Sequence, residues 1–312
     1  MILAFFCSIL FRNNLSYVII VINNEKELIK VKKRYVIAGG IALAATSAFA
    51  YYLYKENKTI ESQRYHYTSS KVPKAFDGTK ILLISDLHNN LFQKEQTLLL
   101  DKIKLHEPDY IFICGDLVHA EKTNMDNMQP IKYLIEAIEG IYPCFFVAGN
   151  HEARNADFLK LCDYLSEHDV MVLNDEIITL ESDGECMDIV GCLDPRFHGN
   201  HKAIFKRNLQ SLYDQCDSDF KLLLSHRPEY FETYASIGFD LVFAGHAHGG
   251  GIQYQKQKGL YAPNQGLFPK YCDGKYQKAF TTMFVSRGLG NASCPVRIQA
   301  RPHLLSVELH HE

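Results

Sequence analysis

No C-x-x-C pair occurs anywhere in this sequence, although it holds nine cysteines, so neither a zinc ribbon nor a thioredoxin-like redox site has support. Charge of one sign is not in excess either. The 33 Lys+Arg against 36 Asp+Glu leave a formal −3, which gives no electrostatic footprint for a nucleic-acid partner. Internal repeats and low-complexity tracts are absent. An apolar fraction of 47% with 22% charged residues argues against disorder and against a many-span membrane protein. The 312 residues suffice for one large domain or two small ones with a substantial core. Cys114 and Cys144 sit inside apolar runs, where a cysteine acts as a small hydrophobe, and reduced thiols point weakly to the cytoplasm. What the chain does have is fourteen histidines, and their placement carries the argument.

One long hydrophobic run contradicts the cysteines. Tyr35 to Tyr54 (YVIAGGIALAATSAFAYYLY) is uncharged and long enough to span a bilayer as a helix. Lys30-Val31-Lys32-Lys33-Arg34 precedes it and the mixed-charge Lys55-Glu56-Asn57-Lys58 follows. The basic leader predicts a cytoplasmic N-terminal side and an exported remainder. Ala48-Phe49-Ala50 also fits a cleavage site, so secretion after cutting near Ala50 competes with a permanent anchor. The apolar run continues past that site through Tyr51-Tyr52-Leu53-Tyr54, which favours a single-pass membrane anchor with the following domain outside. Before the run, Met1–Leu10 and Leu15–Ile22 are apolar but interrupted by Arg12-Asn13-Asn14, and an arginine within a span costs about 2.5–3.5 kcal/mol. Val31-Lys32-Lys33-Arg34 looks like the opening of an export signal, so translation is expected to start at Val31 from a non-ATG codon. The expected organisation is an extension and basic leader over 1–34, the membrane segment 35–54, a polar linker 55–74 and one folded domain over 75–312.

From Lys80 the chain becomes a series of short apolar runs with similar endings. Ile81–Ile84 runs into Ser85-Asp86-Leu87-His88, and Tyr110–Cys114 into Gly115-Asp116. Cys144–Ala148 runs into Gly149-Asn150-His151-Glu152, Phe220–Leu224 into Ser225-His226, and Phe239–Ala244 into Gly245-His246-Ala247-His248. Runs without polar alternation read as strands buried on both faces. Between the first three, residues 93–105 and 128–139 carry apolar residues at helical spacing. Strand–helix–strand alternation implies βαβ units with largely parallel pairing, hence an α/β fold. Sites in such sheets gather beyond the carboxyl ends of the strands, where these Asp, Asn and His residues fall.

The motifs differ in weight. Asp86-x-His88 and Gly115-Asp116 alone are weak, since both suit ordinary turns. Gly149-Asn150-His151-Glu152 and Gly245-His246-Ala247-His248-Gly249-Gly250 are specific, because histidines flanked by glycines at a strand end have little packing value. Asp86, His88, Asp116, Asn150, His226, His246 and His248 together offer two carboxylates, one amide and four imidazoles, a donor set for two divalent metal ions. Without a thiolate the set suits Mn, Fe, Zn or Co and does not choose among them. Asp116 is the natural bridge between metals about 3.5–4 Å apart, and a hydroxide bridging them would be the nucleophile in an in-line displacement at phosphorus.

Asp-x-His, Gly-Asp, Gly-Asn-His-Glu, a lone His and Gly-His-x-His, in that order, resemble the calcineurin-like metallophosphoesterase superfamily over about residues 78–310. The later part is similar to its membrane-associated bacterial phosphodiesterase branch (YkuE/YaeI type), through His246–Gly250, Gly259-Leu260-Tyr261, Pro269-Lys270-Tyr271, Ser286–Asn291 and Arg301-Pro302. The resemblance implies a four-layer αββα sandwich of two mixed β-sheets. It implies one metal on Asp86, His88, Asp116 and His248, a second on Asp116, Asn150, His226 and His246, and a catalytic His151 that contacts the phosphate and helps the leaving group depart. His119, where the family often has Asp or Asn, and Gly251, where it often has Gln, depart from the pattern.

The expected activity is a metal-dependent phosphoesterase, most simply a phosphodiesterase, acting on a phosphorylated small molecule. One alternative is a lipid-linked or nucleotide-sugar pyrophosphate as substrate, and another is a metal-binding scaffold without turnover, against which the complete donor set argues. Arg154, Arg196, Arg227 and Arg287 are candidate phosphate clamps, each more often a surface or ion-paired arginine. His198 and His201 read as solvated loop residues, and His310-His311 as a frayed polar end. The tyrosine-rich 254–276 stretch reads as a loop, framing the substrate mouth or packed as a cover.

Overall fold

The apolar runs do form strands, and their two faces divide between two cores. In the computed structural model, which describes residues 25–291 and 295–312, two six-stranded sheets carry the fold. The first holds β1 (Glu61–Ser69), β2 (Lys80–Ile84), β3 (Tyr110–Cys114), β4 (Cys144–Val147), β5 (Val170–Val172) and β16 (His303–His311), in the order β1-β16-β2-β3-β4-β5. The second holds β6 (Glu176–Ser182), β7 (Glu185–Gly191), β8 (Lys221–Leu224), β9 (Leu241–Ala244), β14 (Gly274–Lys278) and β15 (Thr281–Val285), in the order β14-β15-β9-β8-β7-β6. Both are mixed: β2 to β5 and β7, β8, β9, β15 run parallel, while β16 pairs antiparallel with β2, β6 with β7 and β14 with β15. Two small hairpins, β10 (Gln253–Gln255) with β11 (Lys258–Gly259) and β12 (Tyr261–Ala262) with β13 (Gly266–Leu267), lie outside the sheets.

Alternation along each strand builds the layers. Ile81, Leu83, Phe112, Phe145 and Val147 point between the sheets, where they meet Leu222, Leu224, Leu241, Phe243 and Phe284. Their neighbours Leu82, Ile84, Ile111, Ile113 and Phe146 point outward under α2 (Thr97–His106), α3 (Gln129–Ile138) and α4 (Phe158–Glu167). On the far side Val190, Leu223 and Val242 pack under α5 (Lys202–Tyr213) and α6 (Phe231–Ile237). The result is the four-layer α/β sandwich. In α3 the buried residues are Ile131, Leu134, Ile135 and Ile138, the stripe that the helical spacing predicts. Helix α2 starts later than its periodicity suggests, because Gln93, Glu95 and Gln96 take left-handed backbone angles; Leu105 faces solvent at 63% exposure.

The expected linker over 55–74 is a correction. A helix α1 (Glu25–Lys58) precedes the sheets, and the compact unit begins at Leu53. Glu56 is buried, with Oε1 2.7 Å from Arg301 Nε and Oε2 accepting the Gln299 amide at 2.7 Å. Residues 61–69 are strand β1, paired parallel with β16 over its full length, Glu61 opposite His303 and Ser69 opposite His311. Only Tyr65 and Tyr67 of β1 join the inter-sheet core, which left too thin an apolar signal for the sequence to declare a strand. His310 and His311 are likewise not a frayed end but the last residues of β16. Within α1, Tyr35–Lys58 is long and apolar enough to cross a membrane, and its most apolar window is unburied. The two apolar runs of residues 1–22 lie outside the described residues. Cys114 and Cys144 are buried as expected, and the seven cysteines among the described residues are all free.

Phe112 lies at the centre of the inter-sheet core, edge-on to Phe145 at 5.5 Å and to Phe243 of the facing sheet at 5.2 Å. Phe112→Ala should therefore destabilise the protein by about 3–5 kcal/mol, measured by chemical denaturation. A loss below about 1 kcal/mol would mean that the sheets do not depend on this contact for their packing.

Candidate metal centre

Beyond the carboxyl ends of β2, β3, β4, β8 and β9 the chain turns sharply, and the turning residues carry the chemistry. Asp86, His88, Asp116, His246 and His248 all have positive φ, between 47° and 66°. Non-glycine residues rarely adopt this region, and they hold it here because flanking strands fix both ends of each turn. Main-chain bonds tie the turns together: the Asp86 amide donates to Gly115 O, the His88 amide to Asp116 O, and the His246 amide to Asp86 Oδ2 at 2.9 Å. Gly115 and Gly149 stand back to back. A Cβ on Gly149 would lie 2.4 Å from Asp116 Oδ1, and one on Gly115 would lie 2.7 Å from the Gly149 backbone. Only glycine leaves Asp116 its place.

The donors fall into overlapping groups. Asp86, His88 and His248 offer ligand atoms within 4.8 Å of one another, and so do Asp116, His226 and His246, while His88 and Asp116 form a third such group with His151. Asp116 Oδ2 faces both groups, 3.2 Å from His226 Nε2 and 3.7 Å from His88 Nε2, while Asp116 Oδ1 accepts the His151 amide at 2.8 Å. Asp86 Oδ1 lies 3.4 Å from His248 Nε2, and Asp86 Oδ2 accepts from Ser85 Oγ at 2.5 Å. Asn150 lines the same cleft with a buried Oδ1 that has no hydrogen-bond partner, an amide oxygen of the kind that awaits a cation.

Hydrogen bonds behind the rings decide which nitrogens face the cleft. His226 Nδ1 donates to Cys114 O at 2.8 Å and His88 Nδ1 to Val118 O at 3.2 Å, so each turns its Nε2 toward the cleft. His246 Nε2 donates to Asn264 Oδ1 at 3.0 Å, leaving Nδ1 inward. His151 is different. Its Nδ1 accepts the Ala120 amide at 2.9 Å, so its proton sits on Nε2, 3.9 Å from Asp116 Oδ2. A neutral ring held that way is a donor rather than a ligand. His248 has a donor behind it too, Arg297 Nη2 at 3.3 Å from Nδ1, so holding a cation at Nε2 requires that contact to loosen or a proton to leave.

Electrostatics follow from burial. Burial alone would raise the Asp116 carboxyl, yet the charge and hydrogen bond of His226 hold it well below the usual carboxylate range. Burial works against a proton on His226, but Asp116 outweighs it and lifts that ring to about 10. Burial lowers His88, His246 and His248, and brings His151 down to about 4. Three neutral rings, one shared proton and two carboxylates form a donor set into which two divalent cations fit, taking the place of that proton.

Each residue that the motifs single out is therefore brought to this one cleft. The sequence reading gave no part to Glu152, which is fully buried and accepts the amides of Asp116, Val118 and Gly149 at 2.8, 3.1 and 2.8 Å. Burial, then the nearby Asp116, pushes its carboxyl up to about 8. It follows His151 in the motif, so a signal was there. Asn264 and Arg297 have no local pattern that would reveal them. Of the candidate arginines, Arg154 and Arg196 line the cleft. Arg227 also reaches it but is locked to Asp194 at 2.5 and 3.0 Å, and Arg287 is held by Asp273 at 3.1 Å and Glu61 at 2.5 Å, away from the cleft. His119 stacks edge-on to His151, with ring centroids 5.0 Å apart. His198 is half-buried, 3.4 Å from Asp175, rather than solvated, whereas His201 is exposed.

Known proteins resemble this chain along most of its length. The uncharacterized metallophosphoesterase YkuE of Bacillus subtilis is 29% identical over 267 residues, 84% of this chain and 90% of that protein. YpbG of the same organism, also uncharacterized, is 26% identical over 86% of this chain and 95% of its own length. Phosphodiesterase YaeI of Escherichia coli is 25% identical over 89% and 98%. The family model for calcineurin-like phosphoesterases matches residues 79–250, the stretch from β2 to the turn after His248, which is more than half of the sequence. Strand ends, motif order and this match agree, and the chain belongs to the calcineurin-like phosphoesterase family.

Proposed function

We propose that the chain is a phosphoesterase that hydrolyses P–O bonds of phosphodiesters, held at the outer face of a bacterial cell membrane by its apolar helix. The observation that carries the reading is Asp116 Oδ2, which lies within 4 Å of a histidine from each donor group. Asp86, His88, Asp116 and His248 would hold one cation, and Asp116, Asn150, His226 and His246 the other. Bound there, divalent cations make a water acidic enough to attack at neutral pH and supply positive charge to phosphoryl oxygens. The rest is the chain's own work. His151 presents its Nε2–H beside Asp116, where a leaving oxygen that gains charge can accept it. Arg154 and Arg196, on the cleft wall, suit the remaining phosphate charge. The printed name of YaeI, a phosphodiesterase, supports the diester reading.

Added Mn2+ should give the purified protein activity on a chromogenic phosphodiester. Asp116→Asn should then lower turnover more than Asp86→Asn, and elemental analysis should find both metals depleted in the first variant. Normal turnover with two metals retained in Asp116→Asn would remove the bridging role. His151→Ala should keep both metals and lower kcat by about 10²–10⁴-fold, the range for a positioned proton donor; loss of metal instead would make His151 a ligand. For location, protease added to intact cells or protoplasts should digest the unit that begins at Leu53. Protection of that unit, alongside digestion of a known surface protein, would place it in the cytoplasm, and a soluble product starting at Tyr51 would make the helix a cleaved signal.

A further inference from the structure

A second group of metal-ligand side chains sits away from the catalytic cleft. His66 of β1 and Glu308 and His310 of β16 offer ligand atoms within 4.8 Å of one another. The strand register explains why. His66 lies opposite Glu308 in the parallel pair, and Glu308 and His310, two residues apart, share one face of β16. Glu308 is also opposite Lys80, at the start of β2, whereas Asp86 follows the end of that strand. The two groups therefore occupy opposite ends of the same sheet.

His66 Nδ1 lies 3.0 Å from His310 Nε2, and Glu308 Oε1 lies 3.6 Å from the same His310 nitrogen. Two ring nitrogens that close share either a proton or a cation. Asp77 bears on which nitrogen of His310 is free. Its Oδ1 stands 3.5 Å from His310 Nδ1 and is itself fixed by the His311 amide at 3.0 Å. A carboxylate on the far side of His310 favours the tautomer whose Nε2 lone pair faces His66, the arrangement that also backs metal-bound histidines. The group is open to water on one side, since His66 is exposed and Glu308 and His310 are half-buried.

We infer that His66, Glu308 and His310 form a surface site for a borderline transition-metal cation, Zn2+ or Ni2+ in class, separate from the catalytic pair. Two imidazoles and one carboxylate suit such cations well and Mg2+ poorly. The ion would replace the proton shared by the two rings, with water completing its coordination. Its effect is to clip β1, the edge strand that follows the apolar helix, to β16.

The test counts zinc on the full-length protein in detergent, by equilibrium dialysis and elemental analysis at saturating Zn2+. The double variant His66→Ala/His310→Ala should bind one Zn2+ fewer per chain than the wild type. The rise in melting temperature that Zn2+ gives should shrink with it. Glu308→Gln keeps both rings and should need several-fold more Zn2+ to reach the same occupancy; it replaces the double variant in the comparison if that variant melts early without metal. Equal zinc content and an equal zinc-dependent melting shift in wild type and variants would overturn the site, leaving a proton shared between two histidines.

Discussion

A buried carboxylate must be compensated, and Asp116 is 1% exposed. Much of the surrounding architecture follows from that requirement. One oxygen is held by the His151 amide and the other by the His226 ring, so neither can turn away from the cleft. Glu152 gathers three amides from the turns after β3 and β4 and thereby fixes the loop on which Asp116 stands. Gly115 and Gly149 exist in those turns because a methyl group would occupy the space of the carboxylate or of the neighbouring backbone.

The turns are also conformationally costly. Five of the seven proposed ligands have left-handed backbone, at a cost on the order of 1 kcal/mol or more each. What offsets it is the sandwich itself. Strands buried on both faces, with Phe112, Phe145, Phe243 and Phe284 between the sheets, fix the ends of every turn before any ligand side chain is positioned. Rigid strand ends and strained turns are thus two parts of one device, in which stability stored in the core is spent at the rim.

The donor residues were legible because each follows a run too apolar to be anything but a buried strand. Asp86, Asp116, Asn150, His226 and His246 mark the points where such runs stop, and a doubly buried strand must release its polar residues at its end. Strand β1 was not legible, since its outward residues Ser62, Arg64, His66 and Thr68 are polar and its inward face rests on two tyrosines. Arg297 and Asn264 reach the site through long connections with no periodic pattern, so only the folded chain brings them to His248 and His246. The histidines near the C-terminal end of the sequence looked frayed for the same reason: their partner strand is hundreds of residues away.

That separation shapes how the molecule can be made. The first sheet inserts β16 between β1 and β2, so two strands near residues 61–84 have no neighbour on their shared side until residues 303–311 have been synthesised. Contacts of such long sequence separation form slowly, after loop-closure entropy has been met. The growing chain therefore carries a half-finished sheet with exposed edges for most of its synthesis.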